Sequence, residues 1–120
     1  MTYPADETVA FLPLREPTYL ILLSLANGEK HGYAILKDVS EISQGQVMMS
    51  TGTLYEALAR LRDDGWIERV QEVQGIHPGK PRKAYRLTPL GQRVVQAETA
   101  RLQALMLAAQ QRLGPGLVNL

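Results

Sequence analysis

The sequence predicts a mainly α-helical fold with one small β-hairpin and a long C-terminal helix. Three observations carry that reading. Apolar residues recur at helical spacing in three stretches before Asp64-Gly65, the pattern then changes towards two-residue alternation, and a helical period resumes from Thr88-Pro89 to Gly114-Pro115-Gly116. The 120 residues are enough for one domain that buries a single core without crosslinks. There is no cysteine, which excludes disulfide scaffolds, thiolate zinc sites and cysteine nucleophiles. No apolar run approaches the roughly 18–20 residues of a membrane span. Asp6 and Glu7 stand where a secretory signal would carry basic residues, so a cytoplasmic protein is expected.

Residues 1–15 read as an arm: they hold Pro4 and Pro13 and little periodicity beyond one possible helical turn. Glu16 to Asn27 reads as the first helix, with Pro17 suited to its first turn and Asn27-Gly28 as a stop. Its residues are apolar on most faces, which places it at the centre of the domain. A second helix fits His31 to Ile42, where Ile35, Val39 and Ile42 form a stripe widened by Leu36. Gln44-Gly45-Gln46 breaks that pattern, and Val47-Met48-Met49 leads as a short extended segment into Ser50.

Ser50 opens the third helix, its hydroxyl placed to cap the free N–H groups of the first turn. Leu54, Leu58 and Leu61 form the buried stripe, and Gly65 suits the left-handed residue that commonly ends a helix. Trp66 to Gln74 is a strand candidate. Lys83 to Leu87 alternates cleanly, with Tyr85 and Leu87 on one face. Between them, residues 75–81 hold two glycines and two prolines and read as an exposed hairpin tip. Thr88 caps the last helix and Pro89 begins it. The order helix, helix, helix, hairpin, long helix is that of a winged helix-turn-helix with an added C-terminal helix. The expected organisation is an arm over residues 1–15, a DNA-binding domain over 16–88, a dimerisation helix over 89–113 and a tail over 114–120.

The formal net charge of +1 conceals an asymmetry. Residues 1–56 carry seven acids and three bases, whereas residues 57–120 carry ten bases and five acids. The densest stretch holds Lys80, Arg82, Lys83 and Arg86 with no acid, which fits either a polyanion partner or a solvated basic loop. With the leucine stripe inward, Thr51, Gly52, Tyr55, Glu56, Ala59 and Arg60 face outward on the third helix. Hydroxyls of Ser50, Thr51 and Thr53 suit phosphate contacts, and the N-terminal part of such a helix is what reaches base edges in a major groove. Tyr55 offers a ring to a thymine methyl or sugar and a hydroxyl to a phosphate. A capped amphipathic helix with a polar outer face explains the same residues without DNA. On the hairpin, His77, Lys80, Arg82 and Lys83 would neutralise phosphates beside a groove or enter a minor groove.

On the last helix, Val95, Leu102 and Ala109 recur every seven residues, Thr99, Met106 and Leu113 run beside them, and Leu105 widens the stripe. Three small helices cannot cover so long a face, so a symmetric dimer is expected, packing on the arm being the alternative. Catalysis finds no support. His31 and His77 are the only histidines, no carboxylates stand at metal spacing, no glycine-rich phosphate loop is present and no serine has a His–acid pattern. No cofactor or metal site is expected. Met48, Met49 and Met106 either line the pocket of an unidentified small-molecule effector or fill core, and filling core is the simpler reading.

Several segments together resemble the PadR family of bacterial transcriptional regulators. They are Tyr19 to Leu25, His31-Gly32-Tyr33-Ala34-Ile35, Ser50 to Leu58, Leu61, Asp64-Gly65-Trp66-Ile67 and Arg82 to Gly91. The resemblance implies a homodimer that represses transcription from a pseudo-palindromic operator, with the Gly52-to-Tyr55 helix in the major groove and the basic hairpin along the flanking backbone. It also implies that Tyr33 supports that helix or touches a phosphate. Thr51 stands where the family often has proline. The single last helix, here without any aromatic residue, resembles the smaller subfamily but does not supply the tryptophan sandwich with which some members bind flat aromatic drugs. The competing function is a winged-helix module for an acidic protein partner. A MarR-like regulator shares the wing but normally has further helices at both ends.

Overall fold

A computed structural model describes residues 10–70 and 83–114. Its elements are α1 (Glu16–Leu25), β1 (Lys30–His31), α2 (Gly32–Ile42), α3 (Thr51–Asp63), β2 (Ile67–Val70), β3 (Ala84–Leu87) and α4 (Pro89–Leu113). The three strands form an antiparallel sheet in the order β1-β3-β2. Helices therefore dominate, a small sheet flanks them, and one long helix closes the chain.

α1 is central because its sequence leaves few polar faces. Leu20, Ile21, Leu22 and Leu25 are buried, and the Tyr19 and Thr99 hydroxyls share a 2.7 Å hydrogen bond that ties it to α4. α2 adds Ile35 and Val39 to the core with Leu36 packed beside them, but leaves Ile42, the third residue of its expected stripe, 39% exposed at the helix end. α3 adds Leu54, Leu58 and Leu61, the inward stripe expected of it. Burying leucines of this kind contributes about 1.5–3 kcal/mol apiece, so this stripe sets which way α3 faces.

The turns explain the boundaries. Gln44 and Gly45 adopt φ of 55° and 81°. The Ser43 hydroxyl fixes that turn by donating to the Val39 carbonyl and accepting from the Val47 N–H, both at 2.9 Å. At the end of α3, the Trp66 N–H reaches the Leu61 carbonyl and the Gly65 N–H reaches that of Arg62, with Gly65 at φ 80°. These two bonds close the helix in a Schellman motif, which needs the left-handed conformation that glycine adopts freely.

Two expectations for the sheet change. β1 was not anticipated, since two residues are too short to show a period and its partner lies more than fifty residues away at Tyr85 and Ala84. β3 is consequently the central strand. Ala84 as well as Tyr85 is buried and Leu87 is only half-buried, so the clean alternation does not hold. The first hairpin strand is seen as Ile67–Val70. Trp66, expected to begin it, lies in a bend that leads into the strand, and residues 71–74 and the hairpin tip lie outside the described residues.

α4 is anchored at its start and bare at its end. The Thr88 hydroxyl accepts from the Gly91 N–H at 3.0 Å, while the Thr88 N–H donates to the Trp66 carbonyl at 3.0 Å. Gly91 lies so close to that carbonyl that a Cβ would overlap it. Val94, Val95 and Glu98 are buried, but beyond Ala100 no residue of α4 is. Twenty-five helical residues span about 37 Å, so roughly the last half extends past the core.

Glu98 was counted in the sequence only as a charge, yet its side chain is almost fully buried. It accepts the Leu14 N–H at 2.9 Å and a two-bond contact from Arg101 at 2.6 and 3.0 Å. The paired Arg101 guanidinium, against the opposing effect of burial, holds its carboxyl below the usual glutamate range. The described end of the arm is thus attached to α4, and Phe11 stacks edge-on against Trp66 with ring centroids 5.1 Å apart.

Candidate nucleic-acid interface

The first two turns of α3 present the expected polar face. Ser50, Thr51, Gly52, Thr53 and Glu56 are exposed, and Arg60 follows further along the same helix. Ser50 caps the helix by accepting the Thr53 N–H at 3.1 Å, and its hydroxyl donates to that of Thr53 at 3.0 Å. Ser50 is therefore occupied by the cap, whereas the Thr53 hydroxyl keeps its proton for an outside acceptor. The Thr51 hydroxyl makes no hydrogen bond among the described residues. Gly52 has helical geometry and open space around its α-carbon, so neither backbone strain nor internal packing demands a glycine there.

The two tyrosines of this region differ. Tyr33, at the start of α2, is 79% exposed. Tyr55 is 38% exposed and is not the free outward side chain expected. The end of its ring lies over Gly32, where a Cβ would overlap the hydroxyl and stand 2.9 Å from the ring carbon that bears it. A phenol beside this contact, Tyr85, is held above the ordinary tyrosine range by burial and next by the nearby Tyr55. Arg69 and Arg62 act on it in the opposite sense.

Charge is distributed more widely than the sequence suggested. Arg86, one of the four cations of the basic stretch, donates to Glu68 at 2.6 Å. Among the described residues, Lys83, Arg60, Arg62 and Arg69 are exposed and take part in no ion pair. Arg62 and Arg69 were not singled out from sequence. Arg62 lies seven residues after Tyr55 on one helix face, a signal that was available, while Arg69 is placed only by pairing with Tyr85 across the sheet. His77, Lys80 and Arg82 lie outside the described residues.

The C-terminal stripe divides in two. Val95 belongs to the protomer's own core at 3% exposure, so its place among the dimerisation residues is corrected. Leu102, Leu105, Met106 and Leu113 are exposed at 37 to 70%, and Ala109 is half-buried. An open groove of about 280 Å³ runs between α1 and α4, with Leu23, Ala26, Val95 and Thr99 on its walls. None of Met48, Met49 and Met106 lines it; Met49 packs against the core, but Met48 and Met106 are exposed and so do not fill core as the simpler reading had it. No group of three potential metal ligands occurs among the described residues, and no described helix is long and apolar enough to cross a membrane.

Three helices, a small sheet and an exposed, capped third helix define a winged helix-turn-helix extended by a long C-terminal helix. Residues 21–97 match the transcriptional regulator PadR-like family. A transcriptional regulator of Mycobacterium tuberculosis is 34% identical over 85 residues, covering 71% of this chain and 74% of that protein. An uncharacterised protein of a Streptomyces fradiae transposon is 34% identical over 79 residues, 66% of this chain and only 21% of that protein. Bacillus subtilis PadR, solved in complex with operator DNA, superposes with a TM-score of 0.60 at 29% identity, over 69% of this chain and 46% of that one. The chain belongs to the PadR-like family, a family of transcriptional regulators and not of enzymes.

Proposed function

We propose that this chain is a cytoplasmic repressor that binds a pseudo-palindromic operator in double-stranded DNA as a homodimer. The observation that carries the reading is the first turn of α3, where exposed Thr51 and Thr53 hydroxyls flank a glycine with nothing against it. Gly52 lowers helix stability relative to alanine by up to about 1 kcal/mol, and a duplex backbone or base edge approaching closely gives that loss a purpose. Thr51, Gly52, Thr53, Glu56 and Arg60 then face the major groove, with Ser50 as their cap and Tyr33 at the flank. Lys83, together with His77, Lys80 and Arg82 of the wing, adds backbone or minor-groove contacts. The solved complex of the Bacillus subtilis relative with operator DNA supports this reading.

Residues 16–88 form the DNA-binding unit in this proposal and α4 the dimerisation helix. Leu102, Leu105, Met106, Ala109 and Leu113 meet the partner's copy, which gives cover to apolar side chains that have none in the protomer. Binding-site selection from genomic DNA tests the proposal. It should return a two-fold symmetric site with half-sites roughly 34 Å apart or a multiple of that. With about eight ionic phosphate contacts per dimer, log affinity should fall against log salt with a slope near −7. No enriched site and a slope near zero would refute the DNA reading and favour an acidic protein partner.

A further inference from the structure

We propose that Tyr55 is a positioning residue: its ring, resting on the bare backbone of Gly32, sets the angle between α3 and the start of α2 and so aims Thr51, Gly52 and Glu56. The inference rests on the DNA-binding reading and adds a role opposite to the base contact its position on α3 first suggests.

The geometry is a lock between two elements, the Tyr55 ring of α3 and the bare backbone of Gly32. The leucine stripe of α3 fixes which face is inward, but a row of leucines tolerates sliding and tilt of the helix over the core. The Tyr55 ring projects from the second turn of α3 and ends over Gly32, where β1 passes into α2. Glycine there has no demand from its own backbone, since it does not take a positive φ. The space it leaves is filled by the tyrosine. A methyl group at position 32 would overlap the hydroxyl and crowd the ring carbon at 2.9 Å, so the ring or the whole helix must move. β1 in turn pairs with β3, so the ring refers α3 to the sheet as well as to α2.

A double-mutant cycle tests this, with operator and unrelated DNA measured side by side at fixed salt and folding followed by thermal melting. Gly32→Ala should lower operator affinity roughly tenfold or more, about the value of one mismatched base pair, while binding to unrelated DNA, driven by phosphates, changes far less. In the Tyr55→Leu background, where the ring is gone, the same Gly32→Ala change should have an effect under about twofold. Tyr55→Phe keeps the ring and should keep the wild-type base preference at every operator position. Additive effects of the two substitutions, or wild-type affinity for Gly32→Ala, would overturn the proposal. So would relaxed preference at one base pair in Tyr55→Phe, which stays decisive if Gly32→Ala does not fold. Failure of the unmutated protein to prefer any site would instead overturn the DNA reading itself.

Discussion

Gly91→Ala sets two well-understood effects against each other, and the structure decides the sign. In a helix interior, alanine is favoured over glycine by up to about 1 kcal/mol, so propensity alone predicts a more stable protein. At Gly91, however, the new methyl would overlap the Trp66 carbonyl oxygen and lie 2.8 Å from its carbon and 3.1 Å from the Trp66 α-carbon. All three are backbone atoms of the residue that leads into β2, and the carbonyl is held by the Thr88 N–H at 3.0 Å. The helix must therefore lift. Overpacking of this kind costs about 1–3 kcal/mol, and weakening the Thr88 bond adds about 1 kcal/mol. Less the gain in propensity, a net loss of about 2 kcal/mol is expected. An unfolding entropy of about 2.1 cal/mol/K per residue over the 120 residues amounts to about 0.25 kcal/mol/K, so the melting temperature should fall by about 8 °C. Thermal unfolding followed by circular dichroism, at one protein concentration for both forms, measures it. A variant melting at or above the wild-type temperature would show that α4 is not seated on Trp66 as described.

Gly52→Ala is the counterpart, because nothing beyond its chain neighbours and its own helix backbone stands within 4 Å of the added methyl. It should leave the melting temperature unchanged or slightly raised yet weaken operator binding, and equal affinity by gel shift would remove Gly52 from the contact surface. Leu105→Glu combined with Met106→Lys should leave the winged helix folded but shift sedimentation to a monomer, since both side chains are more than half exposed in the protomer. A dimer that persists would move the interface elsewhere. Glu98 has its carboxyl pKa lowered on folding, so its contribution is fully present above the ordinary 4.5 and is lost as pH falls through the folded value. Glu98→Gln should therefore destabilise the protein at pH 7 by roughly 1–3 kcal/mol and flatten the acid side of the stability profile. Urea midpoints across the acid range test this, and an unaltered slope would contradict it.

Much of the fold was legible because its signals are local. The ends of α4 follow from Thr88-Pro89 and Gly114, and the cap of α3 from Ser50, each a matter of a few adjacent side chains. Leu54, Leu58 and Leu61 gave the facing of α3 because one helix determines its own period. What sequence could not place depends on distant contacts. β1 exists only through β3, Glu98 is buried only because Arg101 and the Leu14 N–H satisfy it, and Val95 looked like the rest of its stripe although the core ends between it and Leu102. Tyr55 shows the same limit at the candidate site. Its spacing put it on the outer face of α3 correctly, but the ring bends back to a glycine twenty-three positions earlier, and no periodicity reports that.

The rooting of α4 has a consequence for how operators are chosen. Gly91 is no swivel, being wedged under the Trp66 carbonyl, and the helix then runs unbroken to Leu113. In the proposed pair of subunits, each reading surface is joined to the other through this one unbroken helix. One inserted base pair turns a half-site about 34–36° around the duplex axis, a phase error that a flexible tether would absorb and this lever cannot. Selectivity should accordingly lie as much in the separation of the half-sites as in their letters.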